Sequence, residues 1–192
     1  ILAMATYPDY NLNDPYTLDF IPEKEWDSMS SEEQYIKQQE TWNNRAITAT
    51  YEPGSVFKIV TAAVGLEEGI ADADTPNVYY CKGYEEVAGI DIGCSNRSGH
   101  GSLSLRDALK YSCNPAFMQL GKKIGAATLY RYYDAFGFFD TTDFADIGDS
   151  GSSGERTGYF WDINNVKDVE LATMSFGQRF RITPLQMITA IS

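Results

Sequence analysis

The chain is short of positive charge, has a single histidine and lacks any long apolar run. Its 192 residues carry 15 Lys and Arg against 27 Asp and Glu, a formal net charge of −12. With no basic stripe visible, a nucleic-acid backbone and an anionic membrane surface are poor partners. No apolar run approaches the ~20 residues of a spanning helix, and no secretory signal stands out. The histidine, His100, lies between two glycines in "SGHGS", a setting for a turn or a hydrogen bond rather than a general base. Cysteine is scarce and odd in number. Cys81 and Cys94 flank the hairpin-like "KGYEEVAGIDIG", and Cys113 stands apart. Three readings stay open: free thiols, a Cys81–Cys94 disulfide favoured by an oxidising compartment, or a metal held by Cys81, Cys94 and His100. The last shows only three ligands and no standard zinc spacing.

What is present suffices for one domain with a real core. The start, "ILAMATYP", reads as a strand without a lead-in. The end is a helix with Thr183 as N-cap and Pro184 at its first position, and no stop signal follows. Both ends read as cut, the pattern of an excerpt from a longer protein. Between them the helix signals dominate. Ser30 and Glu33 form a capping box, Ser104 and Asp107 repeat the spacing, and Asn114 with Pro115 opens another helix. Residues 76–102 hold short strands and glycine turns, and residues 140–165 a glycine- and serine-rich loop, mobile at its centre. The tyrosines Tyr130, Tyr132 and Tyr133 read as helix packing rather than a sugar platform.

The helix over 54–69 is the unusual one. Val56, Ile59, Val60, Ala63 and Val64 share one broad face, with Phe57 and Ala62 adding apolar surface elsewhere. Such a helix is expected to be buried on most sides. Lys58 interrupts it, three residues after Ser55, so the two side chains are neighbours. Burial makes a lysine costly unless it is paired or neutral, and it lowers the lysine's pKa. A neutral lysine beside a hydroxyl is a base for a serine nucleophile. The bland reading of the pair is an N-cap serine and a snorkelling lysine. A second element, "YSCNP", sets Ser112 and Asn114 at a helix–helix corner, where the bland reading is again capping. Ser-x-x-Lys followed by Ser-x-Asn matches two of the three motifs of penicillin-binding proteins and β-lactamases.

With these motifs, "WNNRAITATYEPGSVFKIVTAAVGLEEG", "GHGSLSLRDALKYSCNPAFMQLGKKIG" and "ATMSFGQRFRITPLQMITAIS" make the chain resemble the transpeptidase domain of class B penicillin-binding proteins. The resemblance implies an α/β (α+β) fold of the β-lactamase/transpeptidase type, here mostly the helical subdomain with one or a few strands of an incomplete sheet. Residues 1–192 would be part of a single such domain. It implies Ser55 as acyl-accepting nucleophile, Lys58 as its base, Ser112 as proton relay and Asn114 as holder of the substrate amide. Ser55, Ser112 and Asn114 would also contact substrate. The substrate class is the peptidoglycan stem peptide ending in D-Ala-D-Ala, with β-lactams as mimics and no cofactor or metal. The location implied is the extracytoplasmic face of the bacterial membrane, among the cell-wall synthesis machinery. Two departures matter. No Lys-Thr-Gly or Lys-Ser-Gly occurs, so these 192 residues alone are expected to be inactive and, with an incomplete sheet, open to self-association. Gly177-Gln178-Arg179 also stands where the family often has Gly-Gln-Gly. A D,D-carboxypeptidase, a class D-like β-lactamase, a β-lactam sensor and a non-catalytic structural module are the competing readings.

Overall fold

The computed structural model describes residues 2–144 and 154–192; the centre of the loop over 140–165 lies outside them. In chain order come α1 (Glu23–Ser28), α2 (Ser31–Trp42), α3 (Arg45–Thr48) and a 3-10 turn (Gly54–Phe57) that runs into α4 (Lys58–Glu67). Four short strands follow: β1 (Tyr79–Cys81), β2 (Tyr84–Val87), β3 (Ile90–Gly93) and β4 (Gly101–Leu103). The remaining helices are α5 (Leu105–Lys110), α6 (Asn114–Ile124), α7 (Ala126–Ala135), α8 (Asp168–Met174) and α9 (Pro184–Ile191). The strands form two antiparallel pairs. β1 lies on β4 with Tyr80 opposite Ser102, and β2 turns through Ala88 and Gly89 onto β3 with Val87 opposite Ile90.

Local chemistry explains most of the starts. Ser30 and Glu33 close a reciprocal box at the head of α2, and Thr183 with Gln186 does the same at α9. Ser104 accepts from the Asp107 N–H ahead of α5. Residues 2–8, expected as a strand, form none: a strand needs a ladder partner, and none lies beside them among the described residues. Helix α8 was not expected, because seven residues are too short for a helical period to show and its signal is the pair of acids Asp168 and Glu170 in the first turn.

The core is built where α4, α6 and α8 meet under the strands. Phe57 anchors an aromatic cluster, with ring centroids 4.6 Å from Phe180, 5.2 Å from Tyr133 and 5.4 Å from Phe138. Tyr133 is fully buried there, so the tyrosine run on α7 does pack. The inner face of α4 is Phe57, Val60, Thr61 and Val64, not the stripe expected from the sequence. Val56 and Ile59 are 48% and 45% exposed. The aromatic cluster pulls Phe57 inward, and the Thr61 hydroxyl donates to the Ser175 carbonyl at 2.9 Å, which rotates Val56 and Ile59 out.

Candidate active site

Ser55 sits in the 3-10 turn, and Lys58 begins α4 one turn later. The turn has no side-chain cap. It is held from outside: Gly54 donates its N–H to the Gly177 carbonyl at 2.8 Å, and a Cβ on Gly177 would collide with the Gly54 carbonyl oxygen. Gly177 has φ +85°, so it is free to make this close approach. That bracing role escaped the sequence reading, although "SFGQRF" carries the glycine. Arg179, two residues on, has φ +64°, a conformation that costs a glycine little and an arginine more. Its N–H donates to Glu52 at 3.0 Å and its guanidinium pairs with Glu170 at 2.8 Å, contacts that hold the strained backbone.

The second corner lies between α5 and α6. Ser112 has φ +50°, which turns the chain sharply and aims its hydroxyl and carbonyl at Lys58. Asn114 was expected to cap α6. Instead Cys113 is the N-cap residue, without a side-chain bond, and Asn114 is the first helical residue. Its amide serves the site: Oδ1 accepts from Lys58 at 2.7 Å and Nδ2 donates to the Gly93 carbonyl at 3.3 Å. Gly93 had no sequence signal, because it acts through its backbone alone.

Lys58 is 1% exposed and its ammonium faces four oxygens. These are the Ser112 carbonyl at 2.7 Å, Asn114 Oδ1 at 2.7 Å, Ser112 Oγ at 2.9 Å and Ser55 Oγ at 3.2 Å. Ser112 Oγ also lies 2.9 Å from Ser55 Oγ, closing a triangle. Burial lowers the Lys58 pKa to about 8, partly opposed by the sulfurs of Cys113 and Cys94. The oxygen set accommodates both the ammonium and the amine it becomes as pH rises through 8. Two of the Lys58 N–H groups serve the two oxygens that can only accept, and loss of the third proton would leave a lone pair for the hydroxyls. Ser55, Lys58, Ser112 and Asn114, far apart in sequence, thus meet around one nitrogen.

The sequence matches the penicillin-binding protein transpeptidase domain over residues 1–192. The chain belongs to this family. Among curated relatives of the transpeptidase domain, it is 39% identical to stage V sporulation protein D of Bacillus subtilis over 149 residues, 78% of this chain and 22% of that one. It is 27% identical to the peptidoglycan D,D-transpeptidase FtsI of Escherichia coli K12 over 190 residues, 97% of this chain and 27% of that one. The chain therefore spans about a quarter of the length of these relatives. Solved structures share the fold. The apo transpeptidase domain of Burkholderia pseudomallei penicillin-binding protein 3 aligns with TM-score 0.66 at 24% identity, covering 78% of this chain and 42% of that one. Penicillin-binding protein 3 of Mycobacterium tuberculosis aligns with TM-score 0.65 at 25% identity, covering 80% and 33%.

The cysteines also come together. All three are buried free thiols, so Cys81 and Cys94 carry no disulfide in this structure. Cys113, which the sequence sets apart, joins them: the turn at Ser112 swings it beneath the strands to within 4.8 Å of Cys81, Cys94 and His100.

Proposed function

We propose that this penicillin-binding domain carries the acyl-accepting part of a peptidoglycan D,D-transpeptidase centre. The observation that carries the reading is the triangle of Ser55 Oγ, Ser112 Oγ and Lys58 Nζ around a buried lysine. Ser55 Oγ attacks the carbonyl carbon of the penultimate D-alanine of a stem peptide. Its proton passes to neutral Lys58 directly, or through Ser112 along two 2.9 Å legs. The carbonyl becomes a tetrahedral oxyanion, to which the Ser55 N–H donates. The C–N bond then breaks, the terminal D-alanine takes the proton back through Ser112, and a serine ester remains. An amine of a neighbouring strand attacks that ester, forms the cross-link and returns Ser55 its proton. Asn114 has a second amide N–H beyond the one given to Gly93, and this N–H holds the substrate carbonyl. β-Lactams mimic the D-Ala-D-Ala end and acylate the same serine.

The sequence has no Lys-Thr-Gly or Lys-Ser-Gly. The second oxyanion donor and the group that binds the substrate carboxylate would come from another part of the parent protein. Loss of one such donor costs about a hundred- to thousandfold in rate. The 192-residue chain is therefore expected to acylate slowly or not at all. Among the described residues no helix is long and apolar enough to cross a membrane. A reaction on peptidoglycan supports a place at the extracytoplasmic face of the membrane, beside the cell-wall synthesis proteins.

Intact-mass spectrometry after exposure to a penicillin tests this. The 192-residue chain and the parent protein are compared, each beside Ser55→Ala. One long-lived adduct on the parent, lost in Ser55→Ala, is the expected result. Rapid hydrolysis of the adduct would indicate a β-lactamase. No adduct on a folded parent would leave a non-catalytic module.

A further inference from the structure

We propose that Cys81, Cys94, Cys113 and His100 form a tetrahedral zinc site that pins the Ser112–Asn114 corner in place. The proposal does not rest on the transpeptidase reading. It rests on four ligand atoms meeting at one point: three cysteine sulfurs and an imidazole nitrogen, all within 4.8 Å of one another.

The four residues come from four places in the chain. Cys81 ends β1, Cys94 follows β3, His100 precedes β4, and Cys113 stands at the head of α6. Chance clustering of thiols in a core does occur, because a free cysteine packs as a small hydrophobe. Imidazole does not share that habit. The His100 ring is directed into this cluster, with Nδ1 3.6 Å from Cys94 Sγ, and it is stacked on Tyr111 at 5.6 Å between centroids with an interplanar angle of 12°. The loop that carries it is shaped for the approach. Gly99 has φ +82°, and a Cβ there would collide with the Cys81 carbonyl oxygen, so a glycine lets the histidine loop lie directly on β1.

The donor set selects the ion. Three thiolates and one imidazole in a closed, buried tetrahedron suit Zn²⁺, with Zn–S at about 2.3 Å and Zn–N at about 2.0–2.1 Å. A tetrahedron of that size places sulfur and nitrogen about 3.6 Å apart, and sulfur and sulfur about 3.8 Å apart. The Cys94–His100 contact already has that length, and the remaining separations close from at most 4.8 Å by shifts of side-chain size. On binding, the three thiols release their protons to solvent, and the filled site carries one negative charge. With Cys81, Cys94 and Cys113 at most 2% exposed, the ion is sealed from solvent on its sulfur side and has no open position for substrate. It is structural.

Its placement gives it a use. Cys113 lies between Ser112 and Asn114, the two residues that hold Lys58. Cys94 follows Gly93, whose carbonyl accepts from Asn114. Two of the four ligands are therefore bonded to the backbone that orients the site. The left-handed backbone at Ser112 is costly for a serine, and a metal bond one residue later holds it.

The test uses the 192-residue chain, expressed with zinc supplied and purified without reductant. One equivalent of zinc retained through dialysis is expected, with its loss in Cys94→Ser, Cys113→Ser and His100→Ala. Replacement by Co²⁺ should give sulfur-to-cobalt charge-transfer bands and intense visible bands of a tetrahedral thiolate site. Zinc K-edge absorption on the unaltered chain is the deciding measurement, because it does not depend on these variants folding. It should read three sulfur neighbours at about 2.3 Å and one nitrogen at about 2.0 Å. Zinc bound only through nitrogen and oxygen overturns the proposal. So does full zinc retention in His100→Ala. A metal-free chain overturns it too, whether it has three reactive thiols on unfolding or a mass two hydrogens lower, the mark of a disulfide.

Discussion

Ser30 and Ser55 each stand three residues before a charged side chain at the start of a helix, and they do different work. Ser30 precedes Glu33, and Ser55 precedes Lys58. The Ser30 hydroxyl accepts from the Glu33 N–H at 3.3 Å while the Glu33 carboxylate accepts from the Ser30 N–H at 2.7 Å, so both groups are spent on the helix end. Glu33 is held below its ordinary value mainly by that backbone bond, and it stays a fixed anion. The Ser55 hydroxyl caps nothing. It faces Lys58 and Ser112, and the turn around it is braced by Gly177. Helix α2 buries only Thr41, whereas α4 buries Lys58, Val60, Thr61, Ala62, Val64 and Gly65. A helix secured by its own cap needs little tertiary support. A helix secured by its packing leaves its first serine free for chemistry.

The comparison breaks first at Lys58. Lys58→Met keeps the buried stem and removes the base. In the parent protein, acylation by a penicillin should fall about a hundred- to ten-thousandfold, while the circular-dichroism spectrum is kept. A rate within tenfold of the unaltered protein would return Ser55 to the same class as Ser30. Substitution in the packing should be nearly as damaging, by a different route. Phe57→Ala empties a fully buried site at the centre of the aromatic cluster, and a loss of about 3–5 kcal/mol in unfolding free energy is expected from denaturant titration. A loss below about 1 kcal/mol would mean that α4 is held by something other than its inner face.

The pH dependence sharpens the contrast between the two charges. The Lys58 pKa is about 8 in place of 10.5, so the neutral, reactive amine gains as pH rises through 8. The sign is that of a base: acylation should climb about tenfold per pH unit below 8 and level off above it. Stopped-flow acylation of the parent across that range reads this directly. A limb centred near the ordinary lysine value would show that burial does not set the reactivity.

The two serines also show what a sequence discloses. The box at Ser30 was legible in full, because all its partners lie within three residues. The Ser-x-x-Lys and Ser-x-Asn pairs were legible as motifs. Their meeting at one nitrogen depends on contacts across 54 and 56 residues, which periodicity does not record. The same limit explains the errors. Asn114 has the right position for a cap, but its amide is drawn to Lys58 and Gly93. Val56 and Ile59 fit an apolar stripe, but the aromatic cluster and the Thr61 bond chose another face. Cys113 is distant in sequence from Cys81 and Cys94, and only the turn at Ser112 brings it to them. Gly177 matters for the space it leaves, which no residue pattern announces.

The smallest effect belongs to the cap itself. Ser30→Ala removes the acceptor of the Glu33 N–H and the hydroxyl bond to the Glu33 carboxylate but keeps the backbone N–H bond to it, at an exposed helix end where water replaces much of the loss. A destabilisation of about 1 kcal/mol is expected, with fraying confined to the first turn of α2 and no change in acylation of the parent. Amide exchange along α2, read beside the acylation rate, separates the two outcomes. If Ser30→Ala also slowed acylation, α2 would be coupled to the Ser55 turn, and the division between a helix held by its cap and a helix held by its packing would not stand.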